Sequence, residues 1–211
     1  MFKSIIGKKL GMIRMFDKNG NSIPATVVLA GPCIITKICT EETTQYNAIQ
    51  LGFDSLVNTR NLNKAIMGIF KKNNIIPQRI IKEFRVKNTD TIDANIGQKI
   101  TIDIFNINDY VKVRTISKGK GYAGVIKRHN FKMQSVTHGQ SDRTRARGSS
   151  GGQGPQKVLK GMKMAGHLGN KYVTIRGLRI VDIKQQYNIL LLKGSIPGSI
   201  HSVLTISSCS K

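Results

Sequence analysis

The sequence predicts a mainly β fold, a small barrel or sandwich of short strands, interrupted by one long basic segment. Short runs of β-branched and apolar residues, separated by Gly, Pro and Asn, occupy residues 1–115 and 171–211, which is typical of all-β domains. Residues 116–170 instead hold eleven Lys or Arg, a single acid and more than half of the 21 glycines. Such a segment cannot bury enough apolar surface to offset its ordering entropy, so we expect it to be disordered alone or ordered by a polyanion.

The strands before the basic segment follow one another at short intervals. A mixed run at residues 10–16 leads to Asn19-Gly20, the strongest short signal for a hairpin. Apolar or alternating runs, punctuated by turn residues such as Gly31-Pro32, then predict further strands. They cover residues 23–30, 33–40, 46–53, 79–86, 99–105 and 110–116.

The same signals resume after the basic segment and predict strands at residues 172–183, 187–193 and 202–206. Apolar side chains at helical spacing in residues 61–72 predict one short helical insertion. Because strands flank the basic segment on both sides, we expect one β domain built from residues 1–115 and 171–211, with residues 116–170 projecting from it. Residues from both ends should share one core, namely Val27, Val28, Ile34, Ile35, Leu51, Val113, Ile175, Leu190 and Leu191.

The charge of the chain points to a polyanionic partner. Its 34 Lys or Arg outnumber 11 acids, which gives a formal net charge of +23. Self-repulsion at that imbalance destabilises a compact state, and nucleic acid is the commonest partner that relieves it. The three cysteines lack CxxC spacing, which argues against a disulfide framework or a zinc site and fits a reducing compartment. No apolar run approaches the roughly 20 residues that span a bilayer, and no transit peptide is evident.

Residues 119–124 match the pattern GxGxxG after a predicted strand. A dinucleotide-binding loop also needs a following helix with an apolar face, but VIKRHNFK is basic and polar. We therefore interpret the glycines as a flexible backbone that approaches phosphates, with Lys118 and Lys120 supplying charge.

Three histidines in the basic segment, His129, His138 and His167, could be imagined as a catalytic or metal cluster with Asp142. Their spacing matches neither HxxxH nor HExxH, and their basic neighbours disfavour cation binding. Histidine can instead stack on a base or donate to a phosphate.

Arg143, Arg145 and Arg147 alternate with small residues and precede the thin, bendable run GSSGG. Loops of this kind can enter crevices of folded RNA, where guanidinium groups bind phosphate in bidentate fashion and stack on bases. Lysine dominates elsewhere in the chain, so arginine here favours tight sites over a diffuse positive field.

Several blocks of sequence, taken in order, resemble one known family. IIGKKLGMIRMFDKNGNSIPATVVLAGPCIITKICT is similar to that family's opening, and SKGKGYAGVIKRHNF, THGQSDRTRARGS, KVLKGMKMAGHLGN and NILLLKGSIPG are similar to its later blocks. The blocks cover nearly the whole chain, and residues 55–95 are the least distinctive. The chain thus resembles the universal large-subunit ribosomal protein L3 family, in its bacterial or organellar form.

The resemblance implies a small closed β-barrel of the translation-protein type, with residues 116–170 as a long irregular basic extension. The extension would enter large-subunit rRNA of the 23S type towards the peptidyl transferase centre. The family also implies early rRNA binding that helps nucleate subunit assembly, and neighbouring ribosomal proteins beside the barrel. The expected role is structural rather than enzymatic, without cofactor, metal, membrane or small-molecule substrate. The ribosome would lie in the cytoplasm of a bacterium or, alternatively, in an organelle.

The candidate rRNA-binding residues are the cations and histidines of the extension. They are Lys118, Lys120, Lys127, Arg128, His129, Lys132, His138, Arg143, Arg145, Arg147, Lys157, Lys160, Lys163 and His167. The family's extension tip carries a methylated glutamine in a Gln-x-Pro context in some bacteria, which makes Gln153 the candidate for that modification, in a loop one residue shorter than the commonest form.

Two alternatives from other classes remain beside the ribosomal interpretation. One is a free-standing nucleic-acid enzyme that uses His138 and Asp142, and the other is a chaperone-like RNA-binding module outside the ribosome. Stoichiometry separates them, because a ribosomal protein co-sediments one-to-one with large subunits.

Overall fold

The computed structural model describes residues 2–17, 19–56, 58, 62–86 and 94–209, and it is mainly β, as predicted. The chain divides into two compact units: unit 1 comprises Met1–Ile116 and Tyr172–Lys211, and unit 2 comprises Ser117–Lys171. The strands are β1 (Ser4–Phe16), β2 (Ser22–Ala30), β3 (Cys33–Cys39), β4 (Ala48–Ser55), β5 (Gln78–Arg85), β6 (Lys99–Ile100), β7 (Tyr110–Ile116), β8 (Tyr122–Ala123), β9 (Gly166–His167), β10 (Tyr172–Lys184), β11 (Ile189–Lys193) and β12 (Val203–Ser208). The helices are α1 (Glu41–Thr44), α2 (Lys64–Lys72) and α3 (Val125–His129), with 3-10 turns at Ile102–Ile104 and Gln185–Tyr187.

Six strands of unit 1 pair antiparallel in a closed ring, in the order β1-β12-β7-β10-β11-β2, and β2 returns to β1. The two ends of the chain meet in this ring, because β1 pairs with β12 from Ser4↔Ser207 to Lys8↔Val203. Side chains alternate between the two faces of each strand. In β7 this alternation buries Val111, Val113 and Thr115 and exposes Lys112 and Arg114, which lie between them.

The two strands that precede and follow unit 2 in the sequence are neighbours in the ring. β7 pairs with β10 from Tyr172↔Ile116 to Arg179↔Tyr110, with a register shift between Ile175 and Leu178. The chain therefore leaves unit 1 at residue 116 and re-enters it at the directly paired residue 172.

A second sheet in unit 1 has the strand order β5-β4-β3-β6, so that β5 is an edge strand. This sheet and the ring share one hydrophobic core. The core includes Ile35, Ile49 and Leu51 from the sheet and Ile6, Val28, Val113, Leu190, Leu204 and Ile206 from the ring. Lys8 of β1 also forms an ion pair with Asp54 of β4, at 2.7 Å between Nζ and Oδ2.

The expectation of one core from both chain ends is confirmed for five of the nine predicted residues, namely Val28, Ile35, Leu51, Val113 and Leu190. It is wrong for Val27, Ile34 and Ile175, which are half-buried, and Leu191 is buried outside this cluster. Val27 and Ile34 each adjoin a confirmed core residue, Val28 and Ile35, and neighbouring residues on a strand point to opposite faces.

The first strand begins at Ser4 rather than at residue 10 as predicted. Gly7 and two lysines weaken the strand signal of residues 4–9, but tertiary packing accounts for them. A Cβ on Gly7 would lie 2.5 Å from the Leu29 carbonyl oxygen, which only glycine avoids. The Lys9 ammonium is buried and donates to the carbonyl of Ile196 at 2.6 Å and to that of Gly198 at 3.4 Å.

The predicted strand at residues 99–105 is wrong beyond Ile100, because a 3-10 turn follows. There the Thr101 hydroxyl donates to the Asp103 carboxylate at 2.5 Å, a local bond that competes with strand pairing. The predicted helix is confirmed as α2, although residue 61 lies outside the described residues. Asn63 caps α2 by accepting from the Ala65 N–H at 3.1 Å, and Phe70 is buried. The sequence did not predict α1 or α3, which are too short for a periodic signal.

All three cysteines are free thiols, and Cys33 and Cys39 are buried. Burial raises the pKa of Cys33 to about 12, because the thiolate would lose its hydration inside the core. The Ile6 N–H donates to the Cys33 sulfur at 3.4 Å. No helix in the described residues is long and apolar enough to cross a bilayer.

Leu204→Ala should lower the free energy of unfolding by roughly 2–5 kcal/mol, because it removes a fully buried side chain of β12 from the shared core. Ile200→Ala is the matched control, since Ile200 is 61% exposed and belongs to the same end of the chain. Urea titration of the full chain, followed by circular dichroism, measures both. Equal midpoints for the two variants would show that the last strand does not contribute to the core.

Candidate nucleic-acid interface

Unit 2 begins and ends as two hydrogen-bonded antiparallel arms. The Ser117 N–H donates to the Lys171 carbonyl at 2.9 Å, and the Lys120 N–H donates to the Leu168 carbonyl at 2.9 Å. The Leu168 N–H donates back to the Gly121 carbonyl at 2.9 Å, and β8 then pairs with β9. Backbone bonds rather than an apolar core thus hold the two arms together.

The short helix α3 follows the arms and carries Arg128 and His129 near its end. Arg128 Nη1 donates to the Met164 carbonyl at 2.6 Å, and His129 Nε2 lies 3.1 Å from the same oxygen. A Cβ on Gly166 would lie 2.7 Å from Arg128 Nη1, so glycine leaves room for the guanidinium. Both predicted binding residues are half-buried and partly engaged inside unit 2.

Residues 130–165 contain neither helix nor strand. A loop within them is closed where the Gln134 N–H donates to the Thr144 carbonyl at 3.1 Å. The Gln140 amide donates to the side chain of Gln134 and to the carbonyl of Asp142. His138 and Arg143 adopt positive φ angles of 60° and 58°, a left-handed conformation that is uncommon outside glycine. The loop backbone is therefore shaped by turns and amide contacts.

Unit 2 has almost no core of its own. Only Ala123 and Val125 are buried in it, and no side chain is buried between residues 126 and 179. A segment with so little buried apolar surface gains little free energy to oppose its ordering entropy.

Unit 2 concentrates positive charge that carboxylates do not neutralise. It holds twelve Lys or Arg and one acid, Asp142. No carboxylate of the described residues forms a salt bridge with these cations, whereas the ion pairs that the structure shows lie in unit 1. Most of the predicted residues are exposed: Lys118, Lys120, Lys127, Lys132, His138, Arg143, Arg145, Lys157, Lys160, Lys163 and His167, together with Gln153.

The three alternating arginines, Arg143, Arg145 and Arg147, differ in their surroundings. Arg143 is exposed in its left-handed turn, and Arg147 is half-buried. Arg145 is exposed, and its Nη1 lies 3.4 Å from the Met133 sulfur, a weak acceptor. Most of the donor capacity of Arg145 is therefore free for an anionic partner.

The arrangement does not favour the other chemistries considered for this segment. α3 has five residues, whereas a dinucleotide-binding GxGxxG loop opens a longer helix that packs on a sheet. Within the described residues, no group of three or more His, Cys, Asp and Glu side chains could hold a metal ion.

Comparison with known proteins identifies the family. A family model for ribosomal protein L3 matches residues 57–188. The large ribosomal subunit protein uL3 of Endomicrobium trichonymphae is 54% identical over 211 residues, which cover 100% of this chain and 92% of that protein. The protein of the same name from Brachyspira pilosicoli is 42% identical over 98% of this chain and 94% of its own length. That from Syntrophomonas wolfei is 44% identical over 99% and 97%.

The chain belongs to the ribosomal protein L3 family. This confirms the resemblance inferred from the sequence blocks. Proteins of the ribosomal protein L3 family are structural components of the ribosome rather than enzymes.

Sequence reasoning about this L3-family chain missed a group of cations in unit 1. Lys112 and Arg114 of β7 and Arg176 of β10 all point outward from the ring and are exposed. In the sequence these cations alternate with apolar residues along the predicted strands. Polar residues in such a pattern more often form an ordinary solvated face.

Gly169→Ala should open the arms of unit 2. Gly169 has a φ of +77°, and a Cβ there would collide with the Lys118 carbonyl oxygen. The left-handed conformation alone costs an alanine about 1–2 kcal/mol, so amide exchange at Lys120 and Leu168 should accelerate about tenfold or more.

Gly119→Ala is the control for this substitution, because a Cβ there would meet the Asn170 Cβ at an ordinary 3.8 Å. Hydrogen exchange of the full chain, read by mass spectrometry, compares the two variants. Unchanged protection at Lys120 and Leu168 in Gly169→Ala would contradict this description of the arms.

Proposed function

We propose that this L3-family chain is a structural constituent of the large ribosomal subunit that binds large-subunit rRNA directly through unit 2. The observation that carries the proposal is the combination of twelve cations, one acid and almost no core in unit 2. RNA phosphates supply the missing negative charge, and folded RNA supplies the surface against which such a segment is ordered.

The shape of the tip supports entry into folded RNA. Arg143, Arg145 and Arg147 are separated by small residues and followed by exposed glycine and serine. Little bulk therefore separates their guanidinium groups from phosphates, which they bind in bidentate fashion. We place the tip, residues 143–153, towards the peptidyl transferase centre, and we assign residues 116–170 as the rRNA-penetrating extension of a β domain formed by residues 1–115 and 171–211.

Finer parts of the proposal concern the subunit as a whole. The RNA would be of the 23S type, binding would occur early and help nucleate assembly, and neighbouring ribosomal proteins would contact unit 1. We infer that the ring of strands is a closed β-barrel of the translation-protein type, which the unbroken circuit of pairings supports. Bacterial relatives favour a cytoplasmic ribosome of a bacterium, with an organellar ribosome as the alternative.

Gln153 is the proposed site of methylation. Its side chain is exposed, and Gly154-Pro155 follow it, which leaves the amide accessible to a modifying enzyme. Mass spectrometry of the tip peptide from purified ribosomes tests this assignment directly.

Changing Lys118, Lys120 and Lys127 to Ala should weaken binding to large-subunit rRNA and flatten its salt dependence. Each lost phosphate contact should lower the slope of log K against log salt by about 0.7–0.9. The matched control changes three exposed lysines of α2, Lys64, Lys71 and Lys72, to Ala. Filter binding over a salt series measures both variants. Equal slopes for the two, or failure of the wild-type chain to co-sediment one-to-one with large subunits, would overturn the proposed function.

Arg145→Lys should leave incorporation into subunits near normal. It should impair peptide-bond formation or alter sensitivity to inhibitors of the peptidyl transferase centre. Lysine keeps the charge and loses the planar fork, while the rest of the chain stays bound. Lys132→Arg, which retains charge at an exposed position of the same unit, is the control. Purified ribosomes give incorporation and activity separately. Normal incorporation with unchanged activity and inhibitor sensitivity would mean that the tip only fills space far from the catalytic centre.

A further inference from the structure

Unit 1 contains a broad groove between the edge strand β5 and the outer face of the ring strands β12, β7 and β10. The groove has a volume of about 1550 Å³, which exceeds the usual size of a small-molecule site. Its basic lining comprises Arg79, Lys82 and Arg85 from β5, Lys112 and Arg114 from β7, Arg176 from β10, and Lys3. Glu83 is the only acid among the described lining residues.

The register of the ring strands places hydroxyl groups around the cations. Arg114 pairs with Thr205 of β12 on one side and with Thr174 of β10 on the other, and Ser207 pairs with Lys112. These residues occupy the outward positions of their strands, opposite the buried core positions. The Thr205 hydroxyl already donates to the Arg114 carbonyl at 3.2 Å, and Ser207 accepts from the Ser4 hydroxyl at 2.9 Å. Besides the charge of its cations, this face therefore offers the hydroxyls of Thr174 and Ser207 as neutral donors to phosphate oxygens.

Two arginines of the groove are already stacked on aromatic rings. The Arg114 guanidinium lies 4.6 Å from the centroid of Tyr172, and that of Arg85 lies 5.3 Å from the centroid of Tyr46. Stacking fixes the plane of a guanidinium while its N–H groups remain available, so less side-chain entropy is lost when an anion binds.

Glu83 is the one carboxylate among the described lining residues of the groove, and neighbouring side chains already donate hydrogen bonds to it. Glu83 accepts hydrogen bonds from the Tyr46 hydroxyl at 3.1 Å and from the Gln50 amide at 3.0 Å. The bond to Glu83, together with its charge, raises the pKa of Tyr46. Lys3 and Arg79 lie 3.6 Å and 3.9 Å from the nearest carboxylates, those of Asp109 and Asp54. The other five cations form no salt bridge with a described carboxylate.

We propose that this groove is a second RNA-binding site, in which Lys112, Arg114 and Arg176 hold the phosphodiester backbone of an RNA segment along the outer faces of β12, β7 and β10. All the residues of this site belong to unit 1. The statement that the bound segment is rRNA rests on the proposed function. The Arg114 guanidinium binds a phosphate while one of its faces stacks on Tyr172, and the Thr174 hydroxyl donates to a further backbone oxygen.

An acidic protein segment is the competing occupant, because β5 pairs only with β4 among the described strands and its other edge could accept an added strand. The charge balance favours RNA. Asp109 and Asp54 pair with Lys3 and Arg79, and Glu83 offsets one of the other five cations, which leaves four positive charges unmatched. A polynucleotide supplies one negative charge per nucleotide. A peptide would need an acidic side chain at nearly every position to do the same.

Site-specific photo-cross-linking of the full chain identifies the occupant. A benzophenone amino acid replaces Thr174 in the groove, or Lys71 on α2 as the control, and assembled large subunits are irradiated. We expect Thr174 to cross-link to one segment of RNA and Lys71 to give at most a weak RNA product. A cross-link from Thr174 mainly to protein, or no cross-link at all, would overturn the proposal.

Salt-dependent binding separates this site from unit 2. Changing Lys112 and Arg114 together to Ala should lower the slope of log K against log salt for large-subunit rRNA by about 1.4–1.8, the change expected when two phosphate contacts are lost. The control changes Lys64 and Lys71 to Ala, and Arg114→Lys tests whether the planar fork matters beyond its charge. An unchanged slope in the groove variant, with a reduced slope after the changes at Lys118, Lys120 and Lys127, would reject the groove and leave the proposed function intact.

Discussion

The pairing of β7 with β10 is the constraint on which the rest of the structure depends. It sets Ile116 opposite Tyr172, so the two points where the chain leaves and re-enters unit 1 are fixed beside each other. Closing so long an intervening loop costs entropy that grows only slowly with its length. The burial of Val113, Leu190 and Leu204 in the shared core offsets that cost. A long insertion without its own core is therefore compatible with a stable β domain at this position.

Unit 2 shows how a basic segment can keep a defined backbone where a hydrophobic core is lacking. Its arms are held by main-chain bonds, and its short helix is anchored where Arg128 donates to the Met164 carbonyl. These bonds each contribute little net free energy, because water competes for the same groups. Binding of a polyanion to the ordered form adds free energy by mass action and removes the self-repulsion of the cations. Binding of the partner thus stabilises the ordered backbone of unit 2.

The sequence predicted the mainly β class, most strand positions and α2, because alternation and turn residues are local signals. The prediction from sequence was wrong where contacts within the folded chain determine the local structure. Residues 4–9 look broken by glycine and lysine, yet Gly7 fits against a neighbouring strand and Lys9 finds buried carbonyl oxygens. Beyond Ile100, a bond from Thr101 to Asp103 ends the expected strand. The groove cations were also missed, since only the folded chain places Arg114 and the cations of β5 around one groove.

The net charge alone therefore does not show which cations bind RNA. The structure separates the cations that have partners within the fold from those that are exposed. Lys9 is buried with carbonyl partners inside unit 1, Lys8 is paired with Asp54, and Arg128 donates within unit 2. Each adds to the formal charge of +23 but is occupied in holding the fold. Cations such as Lys118 or Arg114 differ because they are exposed and have no described carboxylate partner. Removing one of the first kind should destabilise the protein, whereas removing one of the second should mainly reduce the salt dependence of RNA binding.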